Sequence, residues 1–390
     1  MRKLLILTLI ALLAGSFAMA SNTRVHTMGE VNNIVKDDAN IWLYPQTINN
    51  YPGLFSAEFD ENDFWMGGAN FGFNEENPWV LGAYFNTDNY YHEIFNDYGH
   101  WEGGADHRID LFYGRNLGEM PFGFVFSYNK RSEKNEDTST VNHMEGSLTR
   151  FGFGFGLTAM EGKLDVAAGI TMTSWTDKDY NGTTSALEDE TKPSGNTEFG
   201  FTGRYWMDPK GKATLVPHAA LWISKQGLED YDDGDLYATY TYKHTMWELG
   251  MGMNYEAKED VLVVTDFGIT SWSGKDEADP ASGDSYVMWK DKEMTVPYFK
   301  IGIDAKVIKW LDFRAGVTNY WISETWEPSE VMKRKYGWGE TDTYLGAGFH
   351  WGDFELDAEI NTDFIENGPY FISGEYDYLT ERVTINYWFD

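Results

Sequence analysis

The stretch from Leu148 to Trp175 reads LTRFGFGFGLTAM, then the tight turn EGK, then LDVAAGITMTSW. In the first arm, Phe and Leu at 151–157 alternate with glycines. In the second arm, apolar residues at 164–172 alternate mostly with small or polar ones. Such alternation places successive side chains on opposite faces, as on a β-strand. Each arm has the ~9–11 residues with which a tilted strand crosses a bilayer, apolar side to lipid and small or polar side to a lumen. The stretch therefore predicts a membrane hairpin that the chain repeats until it closes into a barrel.

The same alternating unit recurs along most of the chain. We predict an all-β fold, a transmembrane antiparallel β-barrel of about 16 strands with about 14 as the alternative, since bacterial single-chain barrels have an even number. The predicted strands are 54–59, 64–73, 79–94, 107–117, 122–130, 148–160, 164–175, 198–207, 213–224, 240–255, 261–272, 295–307, 311–323, 344–351, 354–364 and 382–389.

The connections between these strands alternate in length. Short turns are predicted at 74–78, 117–121, 160–163, 208–212, 257–260 and 351–353, and long polar loops at 95–105, 131–147, 176–197, 225–239, 273–294, 324–343 and 365–381. Outer-membrane barrels have short periplasmic turns and longer external loops. A β-sandwich or a propeller is not expected to keep this rhythm.

The N-terminus predicts export from the cytoplasm. Arg2 and Lys3 precede an apolar run at 4–13, and Ala18-Met19-Ala20 provides a small-x-small cleavage site. We therefore divide the chain into a signal peptide at 1–20, a hatch-like N-terminal segment at 21–52 and the barrel at 53–390. The chain has no cysteine, which excludes a lipoprotein anchor. These features indicate the outer membrane of a Gram-negative-type bacterium.

Composition agrees with a membrane barrel and excludes one class of partner. The 390 residues include 16 Trp, 24 Tyr and 25 Phe, enough for aromatic girdles at both membrane interfaces. Lys and Arg number 30 against 62 Asp and Glu, a net charge of −32. Such a charge repels nucleic acid, and the sequence indicates no basic patch that would offset it. Outer-membrane lipid and a small-molecule solute are the expected partners.

The N-terminal segment contains Met28-Gly29, then Asp37-Asp38-Ala39-Asn40, then Tyr44-Pro45. This order resembles the start of the FadL-type fatty-acid transporter superfamily and of the PorV-like proteins, in which Met-Gly, an Asp-Asp-Ala-like step and Asn-Pro follow the signal. Tyr44 stands where that pattern has Asn. The resemblance implies a hatch that plugs the lumen and the passage of hydrophobic molecules. A periplasmic tail is the other interpretation, and Val31, Ile34 and Val35 at helical spacing predict a short helix.

The last strand carries a second resemblance. Val383, Ile385, Tyr387 and Phe389 alternate with polar residues and Trp388, as in the C-terminal insertion signal of outer-membrane barrels. That signal ends on the aromatic residue, whereas Asp390 follows here.

Charged residues at the small or polar positions of the strands are predicted to face the lumen. There they either line a conduit or form a structural ion-pair network. They are Arg108, Asp110, Asp165, Glu248, Asp266, Lys300, Asp304, Asp312, Arg314, Glu355, Asp357 and Glu359. Gly152, Gly154 and Gly156 are predicted to form a stripe on the lumen wall that a plug or a solute approaches closely.

Nothing in the sequence predicts catalysis or a cofactor. The histidines lack the spacing of a metal site such as HExxH, and no GxSxG motif is present. Carboxylates at Asp230, Asp232, Asp233 and Asp235 are weak candidates for loop-bound Ca²⁺, because their spacing is not that of an EF-hand. A solvated loop is the other interpretation.

Two functions fit these observations. The first is a passive outer-membrane channel or transporter for small or hydrophobic solutes, gated by the N-terminal segment. The second is a structural or anchoring barrel whose acidic external loops bind partner proteins.

Overall fold

Seventeen β-strands form one antiparallel sheet in the computed structural model, which describes residues 23–60, 65–74, 78–85, 107–136, 143–180, 187–208, 211–232, 234–283, 286–329, 332–368 and 378–389. The strands are β1 (Leu54–Asp60), β2 (Trp65–Phe73), β3 (Trp79–Phe85), β4 (His107–Leu117), β5 (Met120–Glu136), β6 (His143–Ala159), β7 (Leu164–Tyr180), β8 (Leu187–Pro193), β9 (Asn196–Tyr205), β10 (Ala213–Asp232), β11 (Asp235–Lys258), β12 (Val261–Pro280), β13 (Tyr286–Ile308), β14 (Leu311–Ser329), β15 (Met332–Trp351), β16 (Phe354–Ile360) and β17 (Thr380–Trp388).

The sheet closes because β1 pairs with both β2 and β17. β8 and β9 follow one another in the same place, each pairing with β7 and with β10. Gly195, with φ +109°, lies at the break between them, and the Ser194 amide donates to the Gly227 carbonyl oxygen at 2.7 Å. The described chain therefore forms a closed barrel of 16 strands with one extra strand, and the predicted strand number is confirmed.

The two faces of the wall differ in polarity. Along β6, Phe151, Phe153 and Phe155 are exposed on the outside, and the intervening glycines are buried. Leu249, Phe267 and other large apolar side chains continue this exposed band on further strands. An apolar outer band on a closed, edge-free barrel is the arrangement that a bilayer requires. The protein is an outer-membrane β-barrel.

The segments predicted as loops are in large part strand. Segments 131–147, 176–197, 225–239, 273–294 and 324–343 mostly continue the hairpins, and β10 pairs with β11 from Ala213 opposite Tyr255 to Asp232 opposite Asp235. The loop prediction was wrong because a polar composition indicates contact with water, and a strand can contact water as well as a loop can. Thr, Tyr and Trp in these segments favour strand, and ion pairs such as Lys243–Glu277 join neighbouring strands.

Individual boundaries also differ from the prediction. The strand predicted at 354–364 ends at Ile360, because the Asn361 side chain accepts from the amides of Asp363 and Phe364 and caps a helix, α2 (Thr362–Asn367). The strand predicted at 79–94 is described only to Phe85. Residues 86–94, the signal peptide at 1–20, the predicted loop at 95–105 and residues 369–377 of the last loop lie outside the described residues.

The N-terminal segment forms three short elements inside the barrel. They are α1 (Thr23–Thr27) and two 3₁₀ helices, η1 (Asp38–Ile41) and η2 (Pro45–Asn50). The helix predicted at Val31, Ile34 and Val35 is instead a series of turns, with all three side chains buried in a small cluster against the wall. Residues 23–50 are called the plug below. No helix among the described residues is long and apolar enough to span a membrane.

Candidate functional site

The plug touches the inner wall on all sides. α1 packs on β14–β17, and η2 packs on β3–β6. Between these ends, Met28 lies against Gly302 of β13, and Ile34 lies against Gly252 of β11. The contacts therefore reach around the barrel and are concentrated in the half nearer the short turns.

Glycines of the wall make this close approach possible. A Cβ added to Gly123 would lie less than 3.0 Å from the Pro45 backbone, and one added to Gly156 less than 3.0 Å from the Gln46 side chain. Wall glycines on other strands meet the plug equally closely; they are Gly82, Gly114, Gly252, Gly302, Gly316 and Gly346. Gly152 and Gly154 are buried on the same face as Gly156. The wall is thus shaped to the plug backbone, which a side chain at these positions would displace.

Arg204 of β9 is the main polar anchor of the plug. Its side chain is buried, and its guanidinium stacks over the Tyr44 ring at 4.2 Å. The two terminal nitrogens donate to four plug oxygens: the carbonyls of Asn32 (3.3 Å), Asn33 (3.2 Å) and Val35 (3.3 Å) and the Asn40 side chain (2.8 Å). The rigid fork of an arginine suits this gathering of several acceptors. Arg204 was not among the residues predicted to face the lumen, although it lies two residues beyond Thr202 on the inner face of its strand.

Asp165 of β7 completes this anchor. Its carboxylate accepts from Arg204 Nε at 2.9 Å, Trp206 Nε1 at 3.0 Å and Thr158 Oγ1 at 2.6 Å. Gln46 of the plug also donates to it, at 3.4 Å. The buried arginine is therefore paired and hydrogen-bonded, as a buried charge requires.

A second anchor holds the first turns of the plug. Arg24 donates to Asp37 within the plug at 2.8 Å and to Asp304 of β13 at 3.0 Å. Asp304 also accepts from Arg314, whose guanidinium pairs with Asp357. The plug and the wall thus share one network of buried ions.

The same end of the plug is fixed to the last strands of the barrel. Thr23 and Thr384 share a hydrogen bond of 2.6 Å between their hydroxyls, and His26 Nδ1 lies 2.8 Å from the Glu359 carboxylate. On β13, Lys300 donates to the Glu30 carbonyl oxygen at 3.1 Å.

All twelve charges predicted to face the lumen lie on the inner face. Asp110 accepts from Trp42 of the plug at 3.1 Å, and Glu248 from Asn33 at 3.3 Å. Asp165, Lys300, Asp304 and Glu359 also bond plug atoms directly. The other six form wall contacts, with their partners in parentheses: Arg108 (Asp110), Asp266 (His218), Asp312 (His350), Arg314 (Asp357), Glu355 (Arg314) and Asp357 (Arg314). Each of the twelve thus has a hydrogen-bond or ion-pair partner on the plug or on the wall.

The hatch-motif residues have local structural roles. Asp37 caps η1 by accepting from the Ala39 amide at 3.1 Å, and Pro45 stands in the first turn of η2. Met28 is fully buried, Gly29 has φ +86°, and Asn40 donates to the Asn32 carbonyl oxygen. Asp38 is buried, and burial together with the adjacent Asp37 raises the pKa of Asp38 well above its usual range.

Three of the four candidate calcium ligands, Asp230, Asp232 and Asp235, lie at the ends of β10 and β11 that face each other. Asp230 accepts from the Thr191 hydroxyl at 3.3 Å, Asp232 and Asp235 are exposed, and Asp233 lies outside the described residues. Within the described part of the chain, no group of three or more His, Cys, Asp or Glu side chains is placed to hold a metal ion.

Several solved structures resemble this barrel at low sequence identity. A Pseudomonas aeruginosa FadL homologue is 11% identical over 96% of this chain and 100% of that one, with a TM-score of 0.44. The Pseudomonas putida toluene transporter TodX is 10% identical over 94% and 96%, with a TM-score of 0.38. CdiB from Escherichia coli is 10% identical over 87% and 63%, with a TM-score of 0.42. No family model and no curated protein matches the chain.

Proposed function

We propose that the protein is an outer-membrane transporter or channel for small or hydrophobic solutes, and that the plug is its removable gate. The observation that carries this proposal is the way the plug is held. Around Arg204, Arg24 and Lys300, polar and charged groups of the wall bind polar groups of the plug. Water can take over such contacts when the plug moves, since exchanging a hydrogen bond of a charged group for one with water costs a modest net free energy, ~1.5–3 kcal/mol each.

Aromatic side chains on the inner face support a hydrophobic cargo. Trp272 lies 5.4 Å from the His244 ring and 6.5 Å from the Trp289 ring, on the long-hairpin side of the plug. Tyr336 and Trp338 of β15 share the inner face with Gly346 by strand alternation, and both are exposed. Inward side chains that remain exposed indicate an open vestibule, and aromatic rings there offer stacking surfaces to an apolar solute.

Carboxylates line the same vestibule. Asp276, Glu293 and Glu324 alternate onto the inner face of β12, β13 and β14. An acidic approach repels anions, so we propose that it favours neutral or cationic solutes.

Conductance in planar bilayers tests the gate. We compare the full-length mature protein with a variant lacking residues 23–50, after checking by heat-modifiable migration that both barrels are folded. We expect rare openings from the full-length protein and a steady conductance from the deletion variant, because the plug fills the lumen. Absence of a conductance in both folded proteins would contradict the proposal.

A reversible disulfide bond between the plug and the wall tests the gate without deleting any residue. The hydroxyls of Thr23 and Thr384 are 2.6 Å apart, so T23C/T384C places two sulfurs within bonding reach in a chain without other cysteines. We expect oxidation to abolish openings and uptake of an apolar solute, and reduction to restore both. Each single cysteine variant serves as the control. Equal transport by the oxidised and reduced double variant would show that this end of the plug does not move.

A further inference from the structure

Six lysines gather on the long-hairpin side of the barrel, against the expectation of no basic patch. They line one surface cavity of about 490 Å³, together with hydroxyl groups of Thr245, Ser273 and Thr325. The six are Lys243, Lys275, Lys290, Lys292, Lys333 and Lys335, here called the lysine patch. They come from β11, β12, β13 and β15 and are up to 92 positions apart in a chain of net charge −32, so only the sheet pairing reveals the patch.

Strand register places the lysine patch on the outer face. Gly250 and Gly252 of β11 and Asp266 of β12 face inward, so the odd-numbered Lys243 and Lys275 face outward. A register shift between Thr295 and Tyr298 moves the outward positions of β13 to even numbers. Lys290 and Lys292 therefore face outward, and so do their partners on β14, Glu327 and Thr325. On the next strand, β15, Lys335 pairs with Thr325, so Lys335 and Lys333 face outward as well.

The lysine patch begins where the apolar outer band ends. Met294 is the outward apolar residue of β13 next to the lysine patch, and Lys292 follows it on the same face. Two residues of strand span ~7 Å, which is about the distance from the edge of the acyl chains to the lipid headgroups. Trp321 of β14, 53% exposed, is the next outward residue below Ser323, which pairs with Met294. The long hairpins are external in barrels of this type, so this boundary belongs to the outer leaflet.

The lysine patch has more positive charge than its own carboxylates neutralise. Glu277 accepts from Lys243 at 2.6 Å and from Lys275, and these hydrogen bonds lower the pKa of Glu277 to about 2. Glu327 pairs with Lys333. Asp291 also lines the cavity, although it alternates with its lysine neighbours along β13. None of the described carboxylates lies within ion-pair distance of Lys290, Lys292 or Lys335.

We propose that the lysine patch binds the phosphate headgroup of an anionic outer-leaflet lipid. Six lysines against Glu277, Glu327 and Asp291 leave a net positive charge at the cavity. The threonine and serine hydroxyls supply further donors. Clustered lysines at a membrane surface attract anionic headgroups, and lysine is an established phosphate ligand. A soluble phosphate compound needs no lipid-facing floor, whereas Met294 and Trp321 directly below the cavity give acyl chains a surface. This inference is independent of the gate.

Binding of lipid A, a bisphosphorylated glycolipid, tests the proposal. Lipid A is titrated onto the detergent-solubilised full-length protein, and binding is followed by native mass spectrometry. The variant K290Q/K292Q/K335Q is compared with K258Q/K306Q/K309Q, which removes three exposed lysines at the short-turn end. We expect a loss of affinity on the order of 100-fold for the patch variant, at ~1 kcal/mol per lysine, and little change for the control.

Two further titrations identify the source of the phosphate. In the first, enzymatically dephosphorylated lipid A is titrated onto the wild type, and we expect it to bind as weakly as intact lipid A binds to the patch variant. In the second, inorganic phosphate at millimolar concentration is added to the complex of the wild type with lipid A, and we expect no displacement. A patch variant within threefold of the control variant would overturn the proposal. Displacement of lipid A by inorganic phosphate alone would assign the lysine patch to a soluble phosphate and overturn it equally.

Discussion

At Arg204, a single wall side chain holds four oxygen acceptors that belong to one turn-rich stretch of the plug. Replacing it in R204M takes this donor from those acceptors and removes the cation that pairs with the buried Asp165 carboxylate. Breaking a buried pair in this way costs ~3–5 kcal/mol. We expect R204M to lower the free energy of unfolding and to raise the rate at which maleimide labels a cysteine at buried Thr47 in the plug.

The control for R204M is R314M. Arg314 is equally buried, and its ion-pair partners are the wall residues Asp304, Asp312, Glu355 and Asp357. R314M is expected to lower the free energy of unfolding with a smaller increase in labelling of the T47C reporter. Equal labelling in both variants would mean that Arg204 stabilises the barrel and does not anchor the plug.

The buried Asp38 leads us to expect that the plug is sensitive to pH. Its pKa in the folded protein is raised by burial and by Asp37, so the folded state holds a proton that the unfolded chain releases near its usual pKa, ~3.9. Stability from this group is therefore full below that value and is lost as pH rises through the raised pKa. We expect labelling of T47C, normalised to an exposed K309C control, to increase from pH 5 to 8.

The amide variant D38N isolates this effect. It cannot ionise and keeps the shape of the protonated carboxyl, so its T47C labelling is expected to stay at the low-pH level throughout the range. A pH profile in D38N that equals that of the wild type would assign the sensitivity to another group.

At the scale of elements, the fit between η2 and the wall depends on missing side chains. A Cβ at Gly123 would overlap the Pro45 backbone, whereas one at Gly203, on the lipid side of β9, has its nearest neighbour at 3.5 Å. We expect G123A to displace η2 and raise T47C labelling, and G203A to leave labelling unchanged. If both variants label at the wild-type rate, η2 adapts to the wall more freely than the close packing implies.

Strand positions were predictable from the sequence because lipid requires apolar outward residues, which leaves a period of two in segments such as 151–157. The plug contacts were not predictable in the same way. Glycines at 152–156 indicate that something approaches the wall, but they do not identify Pro45 and Gln46 as the segment that does so. Arg204 could have been predicted, because strand alternation places it on the inner face. The lysine patch could not, because its members meet only through the pairing of several strands and a bulge in β13.

At the scale of the whole molecule, the lipid proposal requires that the long hairpins face outward from the cell, and the same orientation decides which end of the barrel the plug closes. The short turns then lie in the periplasm beside the plug, and the lysine patch lies at the outer leaflet. Because the chain has no cysteine, single introduced thiols report the orientation directly. K335C marks the long-hairpin end and K309C marks the turn between β13 and β14; both positions are exposed.

We expect a membrane-impermeant maleimide to label K335C on intact cells and to label K309C only after the outer membrane is permeabilised. Purified protein in detergent should label at both positions, which controls for local reactivity. The opposite pattern on intact cells would place the lysines in the periplasm, beyond the reach of outer-leaflet lipid. It would also turn the aromatic vestibule inward, so that the plug would close the external end of the barrel instead of the periplasmic one.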